Sequence, residues 1–150
     1  MKFQTNSKLL LHKEVELNKL DTLAKEIVSN LPNSAIILLN GNLAAGKTTL
    51  VNQIVKAIDI NSSLATSPTF SLQQCYGENI FHYDFYRVEF NDIIELGLLE
   101  EFEKKGFHFI EWADDKLIEL LKEAGFSLYS ITITSTKEDL RDYKLEVINA

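Results

Sequence analysis

The feature that most constrains the fold is GNLAAGKTTL at residues 41–50, which fits the pattern G-x-x-x-x-G-K-[ST]. A continuous apolar run, AIILL at residues 35–39, precedes it and predicts a strand that is buried on both faces. Apolar residues at helical spacing follow it from residue 49 to residue 58. A buried strand, a glycine-containing loop and a helix in this order are typical of a phosphate-binding unit. We therefore expect the chain to bind a nucleotide.

Each part of this loop has a physical role in holding phosphate. The amides of residues 42–48 are expected to converge on the phosphates, and the N-terminus of the helix at Thr49 adds partial positive charge. Lys47 is expected to reach the β- and γ-phosphates, and the hydroxyl of Thr48 to ligate Mg²⁺. Ala44 stands where many such loops have glycine, so its φ is expected to be negative. The residues predicted to bind nucleotide here are Gly41, Asn42, Leu43, Ala44, Ala45, Gly46, Lys47, Thr48 and Thr49.

Two carboxylates end apolar runs and are candidates for the magnesium site. Asp84 follows IFHY, and Glu111 follows FHFI. A phosphate loop needs an acidic partner at the end of a neighbouring strand, close to the metal. Either residue could hold magnesium, and Glu111 could instead orient the attacking water. We therefore predict that Lys47, Asp84 and Glu111 are the catalytic residues.

Composition and charge restrict the function classes. A chain of 150 residues is long enough for one domain with its own core. The net charge of −7 argues against unaided binding to nucleic acid, where a basic patch dominates affinity. The single cysteine, Cys75, excludes an internal disulfide and suits a reducing compartment. The LLL run at residues 9–11 is too short for a signal or a membrane span, so we expect a cytoplasmic protein.

The rest of the chain alternates between strand and helix patterns. Strands are predicted at residues 71–76, 80–86, 107–111, 128–134 and 143–148, and the first two are predicted to form a hairpin around residues 77–79. Helices are predicted at residues 18–31, at 92–105 with a break near Gly97, and at 114–123 before a capping Gly125. Residues 61–70 are predicted to be an exposed loop. The acidic run at 100–103 is predicted to be a solvated helix face, with a docking surface as the alternative. We expect one layered α/β domain over residues 1–150.

Several residues near the candidate site have open interpretations. His82 and His108 precede the two carboxylates and are expected to satisfy local hydrogen bonds, with a functional role as the alternative. Trp112 is either core or a cover for the nucleotide, and Arg87 contacts phosphate or a partner. The segment NKLD at residues 18–21 spells a guanine-reading motif. No D-x-x-G follows Lys47, however, so we interpret it as a helix start with Asn18 as N-cap and Asp21 in the first turn.

Five motifs together resemble the TsaE family, also called YjeE. They are GNLAAGKTT at the loop, SPTF at residues 67–70, HYDFYR at 82–87, GLLEEF at 97–102 and IEW at 110–112. The resemblance covers about residues 18–135. The chain departs from the family pattern at Ala44, which replaces a glycine, and at Ala113, where proline usually follows the E-W pair.

The resemblance implies a small single-domain P-loop NTPase with a mixed, mainly parallel central sheet flanked by helices, binding ATP and Mg²⁺. It implies that Thr48 and Glu111 are metal ligands with Asp84 in the same shell. It also implies that Ser67 and Thr69 lie in a switch-like loop that binds nucleotide, and that Trp112 is functional. Members act with TsaD and TsaB, which transfer a threonylcarbamoyl group to adenosine 37 of tRNA. The chain is thus expected to be a weak Mg-dependent ATPase that its partners stimulate, and to contact tRNA only through the complex.

Two other classes share the phosphate loop. A small-molecule or nucleotide kinase would also need one, although such kinases commonly add an arginine-bearing lid and this chain has two arginines. A regulatory module would bind nucleotide without turnover. Products formed from ATP distinguish the first class, and phosphate release after replacing Glu111 distinguishes the second.

Overall fold

The structure is a computed structural model that describes residues 7–42, 45–58, 65–66 and 72–148. Its strands are β1 (Ser7–Glu16), β2 (Ala35–Asn40), β3 (Ala65–Thr66), β4 (Gln73–Tyr76), β5 (Ile80–Asp84), β6 (Phe107–Glu111), β7 (Leu128–Lys137) and β8 (Leu140–Ile148). Its α-helices are α1 (Leu20–Ser29), α2 (Lys47–Ile58), α3 (Phe90–Glu95), α4 (Leu98–Glu101) and α5 (Asp115–Glu123), and a single 3₁₀ turn spans Leu17–Lys19. Within the described residues, no helix has the length and apolar character needed to cross a membrane.

The strands of the described part form one mixed eight-stranded sheet in the order β1-β8-β7-β2-β6-β5-β4-β3. The central strands β7, β2, β6 and β5 run parallel to one another. Antiparallel strands extend the sheet at both edges. The carboxyl ends of parallel strands meet at one edge of a sheet, and ligands of open α/β sheets bind there. This edge therefore holds the start of the phosphate loop, just after β2.

Helices cover both faces of the sheet. Alternation along β2 points Ala35, Ile37 and Leu39 to a cluster formed with α1 and α2. The alternate residues Ile36 and Leu38 join a second cluster with α3, α4 and α5. Because β2 is buried on both faces, its sequence is a continuous apolar run with no alternation.

The prediction of an α/β domain with a mixed sheet flanked by helices is confirmed, and the parallel strands lie at its centre. The predicted hairpin is confirmed as β4 and β5. The break at Gly97 is a left-handed residue between α3 and α4, with φ of 73°. Cys75 is a half-buried strand residue, as expected.

Four local predictions are wrong or incomplete. Residues 65–66, inside the predicted loop at 61–70, form a short strand that pairs with β4. The other residues of that segment, 61–64 and 67–70, lie outside the described residues. Asn18 is not the N-cap of α1, because the 3₁₀ turn extends to Lys19 and moves the helix start to Leu20. Glu101 is buried rather than solvated. The edge strand β1 was not predicted, since its charged residues obscure any alternation.

Gly106 lies at a close crossing between two strand starts. Its φ is +129°, and a Cβ built on it would lie 1.9 Å from the carbonyl oxygen of Asn79. That same oxygen accepts a hydrogen bond from the Phe107 amide at 2.9 Å. Ala35 in turn donates to the Gly106 carbonyl at 3.1 Å. The glycine thus permits the contact that aligns the starts of β2, β5 and β6.

Candidate functional site

The two candidate carboxylates lie side by side at the carboxyl ends of neighbouring strands. Asp84 ends β5 and Glu111 ends β6, and the parallel register pairs them directly. Glu111 is also level with Leu39 on β2, one residue before the strand ends at Asn40. Glu111 is buried, whereas Asp84 is exposed and its Oδ1 accepts a hydrogen bond from the Tyr86 amide at 3.0 Å. The fold therefore brings both predicted acids to the strand end that precedes the phosphate loop.

The phosphate loop turns directly from β2 into α2. The Ala45 amide donates to the Asn42 carbonyl at 2.9 Å, and Leu50 donates to the Gly46 carbonyl at 3.0 Å as the first bond of the helix. Gly46 has φ of 98°, a left-handed conformation that glycine adopts without strain. α2 begins at Lys47, so Thr48 and Thr49 lie exposed in its first turn. The first N–H groups of an α-helix have no acceptor within the helix, which favours anions there.

The amine of Lys47 is buried within this turn. Lys47 is only 4% exposed, which is rare for a lysine. Its Nζ donates a hydrogen bond to the Gly41 carbonyl at 2.8 Å and lies 3.9 Å from Oε1 of Glu111. A buried cation needs such partners, because an unpaired charge away from water is costly. The structure thus holds a cation and an acid together at the start of α2.

The second oxygen of Glu111 has its own partner. Oε2 lies 2.5 Å from Nε2 of His82, and both side chains are more than nine-tenths buried. His82 and Glu111 share the face of the sheet that α1 and α2 cover, since His82 pairs with Phe109 of that cluster and Glu111 lies two residues further on. Each carboxylate oxygen therefore faces a different basic side chain.

Aromatic and cationic side chains follow the two strand ends. Nζ of Lys47 lies 4.1 Å from the centroid of the Trp112 ring. The ring centroids of Trp112 and Tyr86 lie 5.1 Å apart. Cζ of Arg87 lies 5.1 Å from the Tyr86 centroid. Trp112 and Arg87 have φ values of 62° and 59°, which non-glycine residues rarely adopt. Such backbone strain clusters at functional sites.

A second polar cluster lies on the opposite face of the sheet. Nε2 of the buried His108 donates to the Lys104 carbonyl at 2.8 Å, so Nδ1 accepts from the Tyr83 hydroxyl, also at 2.8 Å. Burial lowers the pKa of His108 and raises that of Tyr83. Burial alone would raise the pKa of Glu101, but hydrogen bonds from Lys104 and Gln73 outweigh it and lower that pKa. Oε1 of Gln73 is buried without a hydrogen-bond partner. No hydrogen bond joins this cluster to the described residues of the phosphate loop.

The structure brings together most of the predicted site. Asn42, Ala45, Gly46, Lys47, Asp84, Glu111 and Trp112 lie at or beside the carboxyl ends of β2, β5 and β6, together with Gly41, Thr48 and Thr49. Leu43, Ala44, Ser67 and Thr69 lie outside the described residues. The prediction missed the contact between His82 and Glu111, for which the only sequence signal was strand alternation. Among the described residues, no three His, Cys, Asp or Glu side chains are grouped so that they could hold a metal ion.

Comparisons with known proteins show the family of this chain. A family model described as "Threonylcarbamoyl adenosine biosynthesis protein TsaE" matches residues 15–143. The chain belongs to the TsaE family. It is 39% identical over 110 residues to the TsaE protein of Rickettsia felis, which covers 71% of this chain and 62% of that protein. It is 38% identical to the TsaE protein of Aquifex aeolicus over 67% of this chain and 75% of that protein.

A solved structure supports the fold of this TsaE chain. The crystal structure of YdiB from Bacillus subtilis superimposes with a TM-score of 0.68, covering 99% of this chain and 90% of that one at 23% identity. At this identity, the likeness concerns the fold alone. The TsaE protein of Bacillus subtilis is 32% identical to this chain over 67% of it and 69% of that protein. The chain spans less than two thirds of the length of the Rickettsia felis relative.

Proposed function

We propose that this chain binds ATP with Mg²⁺ at the phosphate loop, hydrolyses it, and acts with TsaD and TsaB in the threonylcarbamoyl modification of tRNA adenosine 37. The observation that carries the proposal is the buried amine of Lys47, held between the loop carbonyl of Gly41 and the carboxylate of Glu111 at the start of a helix. Family membership supplies the modification pathway. The net charge of −7 supports contact with tRNA through the partners rather than directly.

The residues present fit a magnesium nucleotide. Lys47 would bind phosphate oxygens as a point charge, and the N–H groups of the first turn of α2 would donate to them. Thr48, Asp84 and Glu111 would hold Mg²⁺, which takes few protein ligands and completes its shell with phosphate oxygens and water. Bound Mg²⁺ would supply charge neutralisation at the phosphates. Trp112 lies over Lys47 and would cover the site against water.

Within this arrangement, the residues of the chain have separate roles. Glu111 is buried beside the Lys47 amine, and its Oε1 would either hold Mg²⁺ or orient a water molecule for attack on the terminal phosphate. Asp84 is exposed at the same strand end and would act through the metal. Hydrolysis would change the contacts of the loop, and we propose that Ser67 and Thr69 respond to the terminal phosphate and pass this change to the TsaD–TsaB complex.

Turnover of ATP with identified products tests the proposal. We expect slow release of inorganic phosphate from the chain alone, faster release when TsaD and TsaB are added, and no phosphorylated nucleoside or metabolite. A phosphorylated product from a panel of small molecules would instead support a kinase. Unchanged turnover on adding the two partners would contradict their proposed role. We also expect TsaD and TsaB to co-purify with the chain only when ATP is present.

Two pairs of variants assign the roles within the site. Lys47→Ala should weaken ATP binding at least about tenfold, because it removes the charge that faces the phosphates. Glu111→Ala should leave binding measurable and slow hydrolysis. Lys104→Ala and Glu103→Ala are matched controls away from the loop, and both should keep wild-type binding and turnover. Equal ATP affinity in wild type and Lys47→Ala would contradict the phosphate-loop assignment. Unchanged phosphate release in Glu111→Ala would remove catalysis from that residue.

A further inference from the structure

The contact between His82 and Glu111 is unusual because both groups are polar and buried. His82 lies on β5 and Glu111 ends β6, each less than one tenth exposed. Their neighbours on this face of the sheet, Ile80 and Phe109, are apolar and fully packed. Burying an imidazole and a carboxylate side by side stabilises a protein little compared with an apolar pair of the same volume. Packing alone therefore does not account for the pair.

The geometry gives the two oxygens of Glu111 different surroundings. An ionised carboxylate only accepts hydrogen bonds, so Nε2 of His82 is the donor to Oε2 at 2.5 Å. Oε1 lies 3.9 Å from Nζ of Lys47 and faces the phosphate loop. The terminal torsion of a glutamate is otherwise broad. A hydrogen bond to one oxygen removes this freedom and fixes the direction of the other.

We propose that His82 is a positioning residue: its hydrogen bond to Oε2 of Glu111 holds the carboxylate so that Oε1 stays directed at the phosphate loop. This inference rests on the proposed function, in which Glu111 orients water or holds Mg²⁺. A ligand carboxylate or catalytic base works only when its supporting contacts hold it in place, and a small misplacement lowers the rate strongly. His82 touches neither nucleotide nor water in this role and acts through Glu111.

His108 shows how a structural histidine differs in the same fold. It lies on β6, pairs in register with Phe81, and packs on the opposite face of the sheet. Both of its ring nitrogens have partners, the Tyr83 hydroxyl and the Lys104 carbonyl, that lie away from the loop. Replacing His108 should therefore change stability without changing the orientation of Glu111. This makes it a matched control for His82.

The test separates positioning from packing with two substitutions at one site. His82→Leu keeps the apolar bulk and removes the donor, whereas His82→Gln retains an N–H donor close to the position of Nε2. With TsaD and TsaB present, we expect His82→Leu to lower kcat at least about tenfold. The affinity for a non-hydrolysable ATP analogue should change by less than about threefold, because Lys47 and the loop are untouched. We expect His82→Gln to recover most of the lost kcat, and His108→Gln to keep the wild-type kcat.

A double variant tests whether His82 acts through Glu111. If it does, His82→Leu combined with Glu111→Gln should be no slower than Glu111→Gln alone. Wild-type kcat in His82→Leu, equal losses in the Leu and Gln variants, or a further loss in the double variant would overturn the inference. Far-UV circular dichroism and analogue binding show whether His82→Leu is folded. If it is not folded, the kcat of His82→Gln is the measurement that tests the inference. Wild-type turnover in Glu111→Gln would instead contradict the proposed function, so the two failures are distinguishable.

Discussion

Nζ of Lys47 lies 4.1 Å from the centroid of the Trp112 ring, and Trp112 is the only tryptophan in the chain. A cation above an indole face is attracted by the ring quadrupole. In the proposed complex, Lys47 gives up part of this contact to bind phosphate. The fluorescence of Trp112 is therefore expected to change when nucleotide binds at the phosphate loop.

The first prediction concerns the fluorescence of Trp112. Titration with ATP and Mg²⁺ should change its intensity or emission maximum, because binding moves the charge that lies over the ring. Lys47→Met, which keeps the length of the side chain and removes its charge, should alter the emission without nucleotide and abolish the response to ATP. Lys104→Met should behave like wild type, since Lys104 lies near Phe81 instead. A wild-type response in Lys47→Met would show that the emission does not report on this contact.

The second prediction concerns the magnesium requirement. Thr48→Ala and Asp84→Asn should each raise the Mg²⁺ concentration that gives half-maximal hydrolysis, because the first removes a proposed ligand oxygen and the second removes the negative charge of a proposed ligand. Chelation of the metal by EDTA should abolish hydrolysis in the wild type. Asp115→Asn removes an exposed acid from the first turn of α5 and should leave the requirement unchanged. If Thr48→Ala and Asp84→Asn show the same Mg²⁺ dependence as wild type, the ligand assignment is incorrect.

The third prediction compares two glycines with positive φ. Gly106→Ala should lower the free energy of unfolding by at least about 3 kcal/mol, because the new Cβ would overlap the Asn79 carbonyl and the backbone would be strained. Gly125 also has a positive φ, +83°, but a Cβ built on it meets no heavy atom within 4 Å. Gly125→Ala should cost only about 1 kcal/mol. Urea denaturation measures both values. Equal losses would show that the close crossing at Gly106 has relaxed.

The fourth prediction concerns the pH dependence of stability. Burial lowers the pKa of His108, against the weaker raising effects of the Lys104 carbonyl and Glu101. Below the ordinary pKa of 6.5 the unfolded chain therefore takes up a proton that the folded chain resists, so stability falls as the pH falls from 6.5 toward the folded-state pKa. The effect is at most about 1.4 kcal/mol per pH unit. Urea denaturation between pH 7 and pH 5 should show a shallower slope in His108→Gln.

A control for this prediction is Phe102→Leu. The Phe102 ring packs against His108, with centroids 6.0 Å apart, so the variant loosens the same cluster without removing a titratable group. It should be less stable than wild type at every pH and keep the wild-type slope. An unchanged slope in His108→Gln would mean that the histidine titrates alike in the folded and unfolded chains.

The sequence predicts the centre of this fold well because two strong signals coincide there. The apolar run of β2 and the glycine pattern after it are both local, and neither depends on distant residues. The edges are harder to predict. β1 is mostly exposed and charged, and β3 has two residues, so neither produces a clear periodic pattern.

Within the site, the sequence predicts which residues end strands but not which atoms meet. Asp84 and Glu111 each follow an apolar run, and that is visible without a structure. The pairing of these two acids depends on the register of β5 against β6, a long-range property. The contact between His82 and Glu111 depends on the same register. The burial of Glu101 likewise involves a distant residue, since its partner Gln73 lies 28 residues away in the chain.

The left-handed backbone at Trp112 has a consequence for how the chain can vary. Side chains of consecutive strand residues normally project to opposite sides, so neighbours in sequence seldom serve one target. The left-handed residue Trp112, directly after β6, instead lets the side chains of Glu111 and Trp112 both lie near the amine of Lys47. A single peptide unit thereby sets the angle between an acid and an aromatic ring. Inserting one residue there would separate the pair, although every other strand and helix could stay in place.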